Sequence, residues 1–113
     1  MLAALNESKS IIECGTSFGV STIYMALAVN RNVGGQRQKA FGVLTIEKDH
    51  SKFASAKRIW NEAGKDVEEW IDARPGDLLE VLEQDDSLPE TVDLVFLDGM
   101  DSFHRSSATQ HPR

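Results

Sequence analysis

The sequence predicts an α/β fold in which helices cover both faces of a parallel sheet. Strand-like apolar runs alternate with helix-like periodic segments along the chain, in the order β-α-β-α-β-α-β. The last run, VDLVFLDG at 92–99, has five apolar residues in the six positions from Val92 to Leu97. A continuous apolar run is typical of a strand buried on both faces, and the alternation predicts parallel strands joined by right-handed crossovers.

The first half of the chain contains two predicted strands and one helix. Ser10 to Cys14 has the pattern of a buried strand, and Phe41 to Ile46 forms a second β-rich run that Glu47 closes. Between them, apolar residues recur at the spacing of one helical face, at Val20, Ile23, Tyr24 and Leu27. A polar loop with two central glycines is expected over 30–39.

The second half adds two helices and a third strand before the run at 92–99. A helix is predicted from Ser51 to Ala63 with Gly64 as its stop, and a strand from Val67 to Ala73. Asp77 can cap a short helix, because Glu80 follows three residues later as in a capping box.

Composition limits the partners and the location. The 113 residues suffice for one domain, and the net charge of −6 argues against nucleic acid or an anionic membrane surface as a partner. Cys14 is the single cysteine, so no intramolecular disulfide can form and a reducing compartment fits best. No apolar run reaches the roughly 20 residues that span a bilayer. The expected location is therefore cytoplasmic.

Polar residues stand where the predicted strands end, at Glu13-Cys14-Gly15, Glu47, Gly76-Asp77 and Asp98-Gly99. Open α/β sheets bind ligands at the carboxyl ends of their strands, so we expect these residues to share one edge. Gly15 and Gly19 would let the backbone pass close to a ligand. The helix that begins near Gly19 suits a carboxylate or a phosphate, and Glu47 can accept both hydroxyls of a ribose.

Two cofactor classes use such an edge. The dinucleotide fingerprint requires G-x-G-x-x-G with an acidic residue about 20 positions further on. Here the loop reads G-T-S-F-G, with Ser17 in place of the middle glycine, and Glu47 lies well beyond that distance. The looser pattern suits a ligand whose small anionic end is an amino-acid carboxylate. S-adenosylmethionine fits this description.

Four stretches in order resemble the motifs of S-adenosylmethionine-dependent O-methyltransferases, the group that includes the catechol and caffeoyl-coenzyme A O-methyltransferases. They are IIECGTSFGVSTIYMALA, LTIEKD, the AG before RPGDLLEVL, and DLVFLDG. The resemblance covers about residues 10–99. It implies a Rossmann-like fold, with residues 1–99 as an incomplete S-adenosylmethionine-binding domain of about four strands. It also implies transfer of the sulfonium methyl group to an oxygen of a small-molecule acceptor.

The resemblance also implies roles for individual residues. Those expected around the methionine part are Glu13, Gly15, Ser17 and Gly19, with Ser21 nearby. Glu47 would hold the ribose, and the adenine would be bordered by Lys48, Gly76, Asp77 and Leu78. Asp98 would lie at the catalytic rim, where metal-dependent members place a first Mg²⁺ ligand.

The pattern departs from the family after Gly99. The end of the chain, MDSFHRSSATQHPR at 100–113, is expected to be a polar, disordered tail. Position 101 is Asp where metal-dependent members have a lysine, and their Asp-Asn pair has no counterpart. Asp98 alone is a poor Mg²⁺ site, so Mg²⁺ is not expected in this form. Without the family's fifth strand, the fourth becomes an edge strand, and we expect a fragment or truncated product, or self-association through that edge.

Other interpretations stay open for the residues and for the function. Gly15 and Gly19 could serve packing alone, Glu13 could bond local amides, and Asp77 could be only a helix cap. Cys14 is expected to be a buried residue and not a nucleophile. The alternatives to a methyltransferase are a non-catalytic nucleoside-binding remnant or association module and, third, an NAD-dependent oxidoreductase.

Overall fold

The computed structural model describes residues 5–36, 38, 41–84 and 92–97. Four parallel strands form one sheet in the order β3-β2-β1-β4. The strands are β1 (Ser10–Cys14), β2 (Gly42–Glu47), β3 (Ile71–Pro75) and β4 (Leu94–Leu97). The helices are α1 (Val20–Asn32), α2 (His50–Ala63), α3 (Lys65–Glu68) and α4 (Leu78–Gln84). The predicted α/β class with a parallel sheet is confirmed, while residues 98–113, including the predicted tail, lie outside the described residues.

The central strand β1 aligns the whole sheet. Ser10 pairs with Gly42 at one end of β2 and Cys14 pairs with Ile46 at the other. On its second side, β1 pairs with β4, from Ile11 opposite Leu94 to Cys14 opposite Leu97. The carboxyl ends of β1, β2 and β4 therefore lie level with one another. The core beside them is built from residues that are at most 3 % exposed: Ile11, Met25, Ala26, Val29, Val43, Val67 and Trp70.

Helix α1 buries a different face from the predicted one. Val20, Tyr24 and Leu27 are 54 %, 66 % and 44 % exposed. The buried side consists of smaller residues and one methionine: Thr22, Met25, Ala26, Ala28 and Val29. Alanines let a helix approach a sheet closely, and α1 carries apolar residues around most of its circumference. For this reason periodicity alone cannot identify its core face.

Helix α1 also continues three residues into the predicted loop at 30–39. The side-chain amide of Asn32 donates to the carbonyl oxygens of Leu5 (2.9 Å) and Ser8 (2.6 Å), which ties the last turn to the segment before β1. The polar residues at 30–32, which predicted a loop, therefore form the last turn of the helix, and Asn32 attaches that turn to the segment before β1. None of the helices over the described residues is long and apolar enough to cross a membrane.

The third strand begins later than predicted. Val67 belongs to the helical turn α3, and β3 starts at Ile71. Val67 and Trp70 are three residues apart and both are buried, at 3 % and 0 % exposure. This spacing places both side chains on the same side of a helical turn. The prediction of a strand was therefore wrong for residues 67–70, which form a helical turn and its end, and is confirmed for Ile71 to Ala73.

The second helix begins one residue before its predicted start. Asp49 is its N-cap, and its Oδ1 accepts from the backbone N–H groups of Ser51 (2.9 Å) and Lys52 (3.1 Å). The bond from Lys52 is the main reason that the pKa of Asp49 lies below its ordinary value. At the other end Gly64, with φ 101°, ends the helix as predicted.

Candidate functional site

Backbone hydrogen bonds join the carboxyl ends of the first three strands. The N–H groups of Gly15 and Thr16, just after β1, donate to the carbonyl oxygen of Ile46 at 2.8 and 3.2 Å. The N–H of Gly76, just after β3, donates to the carbonyl oxygen of Glu47 at 2.9 Å. The structure thus places these three strand ends at one edge. The fourth strand is described as far as Leu97, opposite Cys14, and Asp98 lies outside the described residues.

Glu47 lies at the centre of this edge. It is 8 % exposed, and its two oxygens hold different loops. Oε1 accepts from the backbone N–H of Ser17 (2.7 Å), and Oε2 accepts from that of Asp49 (2.9 Å). A carboxylate oxygen has two lone pairs, so each oxygen keeps one acceptor position after these bonds. Glu47 can therefore organise both loops and still accept hydroxyl groups of a ligand.

The loop after β1 is held in an uncommon backbone conformation. Gly15 and Gly19 have φ values of 91° and 87°, and Ser17 has a φ of 56°. A non-glycine residue in the left-handed region costs free energy and persists only where its surroundings impose it. The bond from the Ser17 N–H to Glu47 is one such constraint. The loop is therefore held in shape by Glu47, the residue predicted to bind the ribose.

Gly19 lies where α1 and α2 touch. A Cβ added to Gly19 would lie 2.8 Å from the Cβ of Ala56 and 2.8 Å from Nε1 of Trp60. The carbonyl oxygen of Gly19 also accepts from the Trp60 indole N–H at 3.0 Å. The packing interpretation of Gly19 thus has direct structural support. A contact with a ligand stays a prediction for Gly19, as it does for Gly15.

Glu13 lies beneath the loop, completely buried (0 %). Its oxygens accept from the hydroxyls of Ser21 (2.6 Å), Thr22 (2.5 Å) and Thr45 (2.7 Å). Thr16 and Thr45 share a further hydrogen bond of 2.5 Å. Since the one hydroxyl proton of Thr45 goes to Glu13, Thr16 must be the donor in that bond. The hydroxyls of Ser21, Thr22 and Thr45 therefore donate to the Glu13 carboxylate, and the hydroxyl of Thr16 donates to Thr45.

The three threonines of this network, Thr16, Thr22 and Thr45, were not among the site residues predicted from the sequence. The pairing of the strands indicates the network, because Thr45 on β2 lies opposite Glu13 on β1. Thr45 stands inside the otherwise apolar run GVLTIE, and Thr22 is one residue after Ser21. A hydroxyl residue within a buried run needs a polar partner. A buried acid on the next strand would have supplied one.

Cys14 adjoins Glu13 and is itself 3 % exposed. Burial raises the pKa of its thiol to about 11, and the charge of Glu13 adds to the effect. A nucleophilic cysteine needs the thiolate, and this environment disfavours it. The structure agrees with the expectation that Cys14 is a packing residue.

The raised pKa of Cys14 predicts a pH dependence of stability. The folded protein holds the thiol proton more tightly than the unfolded chain, whose thiol has a pKa near 9.0. The contribution is therefore fully present below pH 9 and is lost as the pH rises towards 11. Two pKa units correspond to about 2–3 kcal/mol. Urea unfolding of the wild type and of Cys14→Ala between pH 8 and pH 11 measures it, and a constant difference between the two would contradict it.

The residues predicted to border the adenine lie near the ends of β2 and β3. Lys48 is exposed, directly after Glu47, and Leu78 is half-buried at the start of α4. Gly76 has a φ of 133°. Asp77 caps α4, since its Oδ2 accepts from the Leu79 N–H at 3.2 Å. The cap is thus present, and a contact of Asp77 with a ligand stays a prediction.

The metal prediction rests on a residue outside the described part. Within residues 5–36, 38, 41–84 and 92–97, no three His, Cys, Asp or Glu side chains are grouped so that they could hold a metal ion. Asp98, the predicted residue of the catalytic rim and the one predicted metal ligand, follows this part of the chain.

Solved structures share this fold. The O-methyltransferase TomG from Streptomyces achromogenes, involved in tomaymycin synthesis and crystallised with SAM, is 29% identical with a TM-score of 0.68; the match covers 99% of this chain and 48% of TomG. A protein from Klebsiella pneumoniae assigned as an O-methyltransferase is 29% identical with a TM-score of 0.70, over 99% and 47%. The O-methyltransferase from Bacillus cereus in complex with SAH is 22% identical with a TM-score of 0.62, over 99% and 48%, a likeness of fold.

The family comparison extends over most of the chain. No curated protein matches it. The chain spans about half the length of the solved proteins named above. The family model described as a methyltransferase domain matches residues 12–111. The Rossmann-like fold and the resemblance carried by four motifs are confirmed, and the chain belongs to the methyltransferase domain family.

Proposed function

We propose that this chain is the cofactor-binding part of an S-adenosylmethionine-dependent O-methyltransferase with a small-molecule acceptor. One observation carries the proposal: the ends of three strands are bonded together around Glu47, which is nearly buried and keeps acceptor capacity on both oxygens. The structural relatives supply the chemical class, since TomG was crystallised with SAM and the Bacillus cereus protein with SAH.

The residues present fit such a cofactor. Glu47 would accept the ribose hydroxyls, and the loop from Gly15 to Gly19 with Ser21 would face the amino-acid end. Lys48 and the turn at 76–78 would border the adenine. When bound, S-adenosylmethionine supplies a methyl group on a positively charged sulfur for transfer to an acceptor oxygen. The contribution of these residues is to hold the donor in one orientation, which lowers the entropic part of the barrier. Asp98 stays a prediction for the catalytic rim.

Titration calorimetry tests the proposal against its alternatives. The chain is titrated with S-adenosylhomocysteine, with adenosine and with NAD. Binding of S-adenosylhomocysteine more tightly than adenosine, without binding of NAD, supports the proposal. Equal affinity for adenosine and S-adenosylhomocysteine would indicate a nucleoside-binding remnant. Binding of NAD alone would indicate an oxidoreductase, and binding of none of the three would leave an association module.

Self-association through β4 belongs to the same proposal. The two edge strands of the described sheet differ. On β3 the Arg74 guanidinium donates two hydrogen bonds to the Asp72 carboxylate, at 2.8 and 2.7 Å, and Pro75 ends the strand. Charges and proline discourage pairing of an edge with another chain. Strand β4 is apolar throughout, and its residues Val95 and Leu97 are each 56 % exposed. This edge is therefore open to pairing with a second copy of the chain.

We also propose a cytoplasmic location. Cys14 is the single cysteine of the sequence and is a free, buried thiol, which fits a reducing compartment.

Light scattering of Val95→Lys tests the β4 edge. A lysine on an edge strand opposes pairing with a second chain because its charge would have to be buried. We expect the wild type to show a dimer mass and Val95→Lys the monomer mass at the same concentration. Glu80→Lys, a change of an exposed residue on α4, is the control for altered net charge. A monomeric wild type, or a dimer unaffected by Val95→Lys, would contradict the proposal.

A further inference from the structure

The loop between β1 and α1, residues 15–19, is held by the next part of the chain. Each of its five residues contacts a residue of β2, of α2 or of the turn between them. The backbone N–H groups of the first three donate to the end of β2, at 2.8, 3.2 and 2.7 Å. The acceptor is the carbonyl oxygen of Ile46 for the first two and Oε1 of Glu47 for the third.

The last two residues of the loop are held by side chains of α2. The ammonium nitrogen of Lys52, in the first turn of α2, lies 5.8 Å from the centroid of the Phe18 ring. Further along the same helix, the indole N–H of Trp60 donates to the carbonyl oxygen of Gly19 at 3.0 Å. A cation within about 6 Å of an aromatic ring and a buried hydrogen bond are both stabilising. Helix α2 therefore fixes the part of the loop that enters α1.

The loop needs such support because its backbone is unfavourable by itself. Gly15, Ser17 and Gly19 have φ values between 56° and 91°, and this conformation persists only where the surroundings impose it. A ligand that binds one loop conformation binds in proportion to the fraction of molecules that adopt it. Trp60 is 3 % exposed and contacts the loop from beneath α1. It can therefore alter the affinity of the loop for a ligand without touching that ligand.

We infer that Lys52 and Trp60 are positioning residues that hold the loop 15–19 in its ligand-binding conformation. They act through Phe18 and Gly19, and neither is assigned a contact with the ligand. The inference rests on the proposed function, in which this loop faces the amino-acid end of S-adenosylmethionine. It adds that the packing of α2 determines the affinity for one end of the cofactor, while the adenosine end depends on other residues.

Calorimetry with S-adenosylhomocysteine and adenosine tests the two residues. Adenosine lacks the amino-acid end, so its affinity should stay at the wild-type value in every variant. Lys52→Met removes the charge over the ring and should weaken S-adenosylhomocysteine about two- to fivefold. Lys52→Arg keeps a cation there and should restore the affinity. Trp60→Phe removes the indole N–H and should weaken S-adenosylhomocysteine about fivefold.

Two substitutions elsewhere are matched controls. Lys57 also lies over a ring, with its Nζ 5.5 Å from the centroid of Phe53, but this contact is within α2. Trp70 is another completely buried indole and follows α3. Lys57→Met and Trp70→Phe should therefore keep the wild-type preference for S-adenosylhomocysteine over adenosine. Circular dichroism verifies that each variant folds, and the two variants of Lys52 decide if Trp60→Phe does not.

Three results of the calorimetry would overturn the inference. The first is an equal loss of affinity for both ligands, which would indicate a general loss of structure. The second is a change of preference in the control variants equal to that in Lys52→Met. The third is an unchanged preference in both Lys52→Met and Trp60→Phe.

Hydrogen exchange without a ligand separates this inference from the proposed function. The Ser17 N–H should exchange about two- to fivefold faster in Lys52→Met than in the wild type, because the loop opens more often. The Gly76 N–H, which donates to the Glu47 carbonyl oxygen outside the loop, should exchange at the wild-type rate. Unchanged exchange at Ser17 would overturn the inference even if S-adenosylhomocysteine binds. Faster exchange at Ser17 without binding of S-adenosylhomocysteine would support the hold of α2 on the loop and contradict the proposed function.

Discussion

Replacing Glu47 by alanine is expected to weaken the binding of S-adenosylhomocysteine about 100-fold or more. The carboxylate would accept both ribose hydroxyls, and two hydrogen bonds to a charged group are worth about 3 kcal/mol or more. The change also removes the acceptors for the N–H groups of Ser17 and Asp49, at 2.7 and 2.9 Å. Both effects lower affinity, so calorimetry of the variant alone would not separate them.

A ligand without the ribose hydroxyls separates the loss of hydroxyl binding from the loss of support for the two loops. The wild type should prefer S-adenosylhomocysteine to its 2′,3′-dideoxy analogue by about the same factor of 100, because Glu47 would read the hydroxyls. Glu47→Ala should bind the two with nearly equal affinity. If the variant retains the preference of the wild type, another residue holds the hydroxyls. Asp49→Ala removes a neighbouring carboxylate that caps α2 and should keep the preference, which makes it the matched control.

The position of the site edge was predictable, whereas much of the bonding beneath it was not. Strand β1 has the predicted bounds, Ser10–Cys14, because an apolar run between polar and glycine residues limits a strand on both sides. Once the strands were assigned as parallel, their carboxyl ends had to share one edge. Glu47 was identified for this reason. The bond from Ser17 to Glu47 spans 30 residues of sequence and depends on loop geometry that no local pattern encodes.

The errors have a common physical origin. Helix α1 has apolar residues on two sides, and packing against β1 and β2 selected the side with alanines and Met25. Val67 and Trp70 are apolar because they enter the core from a helical turn, which resembles a buried strand in sequence. In both places the tertiary contact decides between patterns that the sequence leaves equivalent. The role of Gly19 in packing against Trp60, 41 residues away, is a third case.

Gly19→Ala is expected to be among the most destabilising single substitutions in this chain. The new Cβ would lie 2.8 Å from both the Ala56 Cβ and Trp60 Nε1, and the φ of 87° is itself unfavourable for alanine. The left-handed backbone conformation costs alanine about 1–2 kcal/mol, and overpacking against α2 costs about 1–3 kcal/mol more. The sum is a large part of the free energy of unfolding of a small domain. Urea unfolding followed by tryptophan fluorescence measures the change, since Trp60 is at the contact.

Gly34→Ala separates the clash from the backbone cost. Gly34 has a φ of 66°, and no heavy atom of the described residues lies within 4 Å of the Cβ that alanine would add. This variant should lose only the backbone term of about 1–2 kcal/mol, so the difference between the two variants isolates the contact of α1 with α2. Equal losses would mean that α2 moves away at little cost. In that event Gly19 would be required for its backbone conformation alone, and the approach of the two helices would not depend on it.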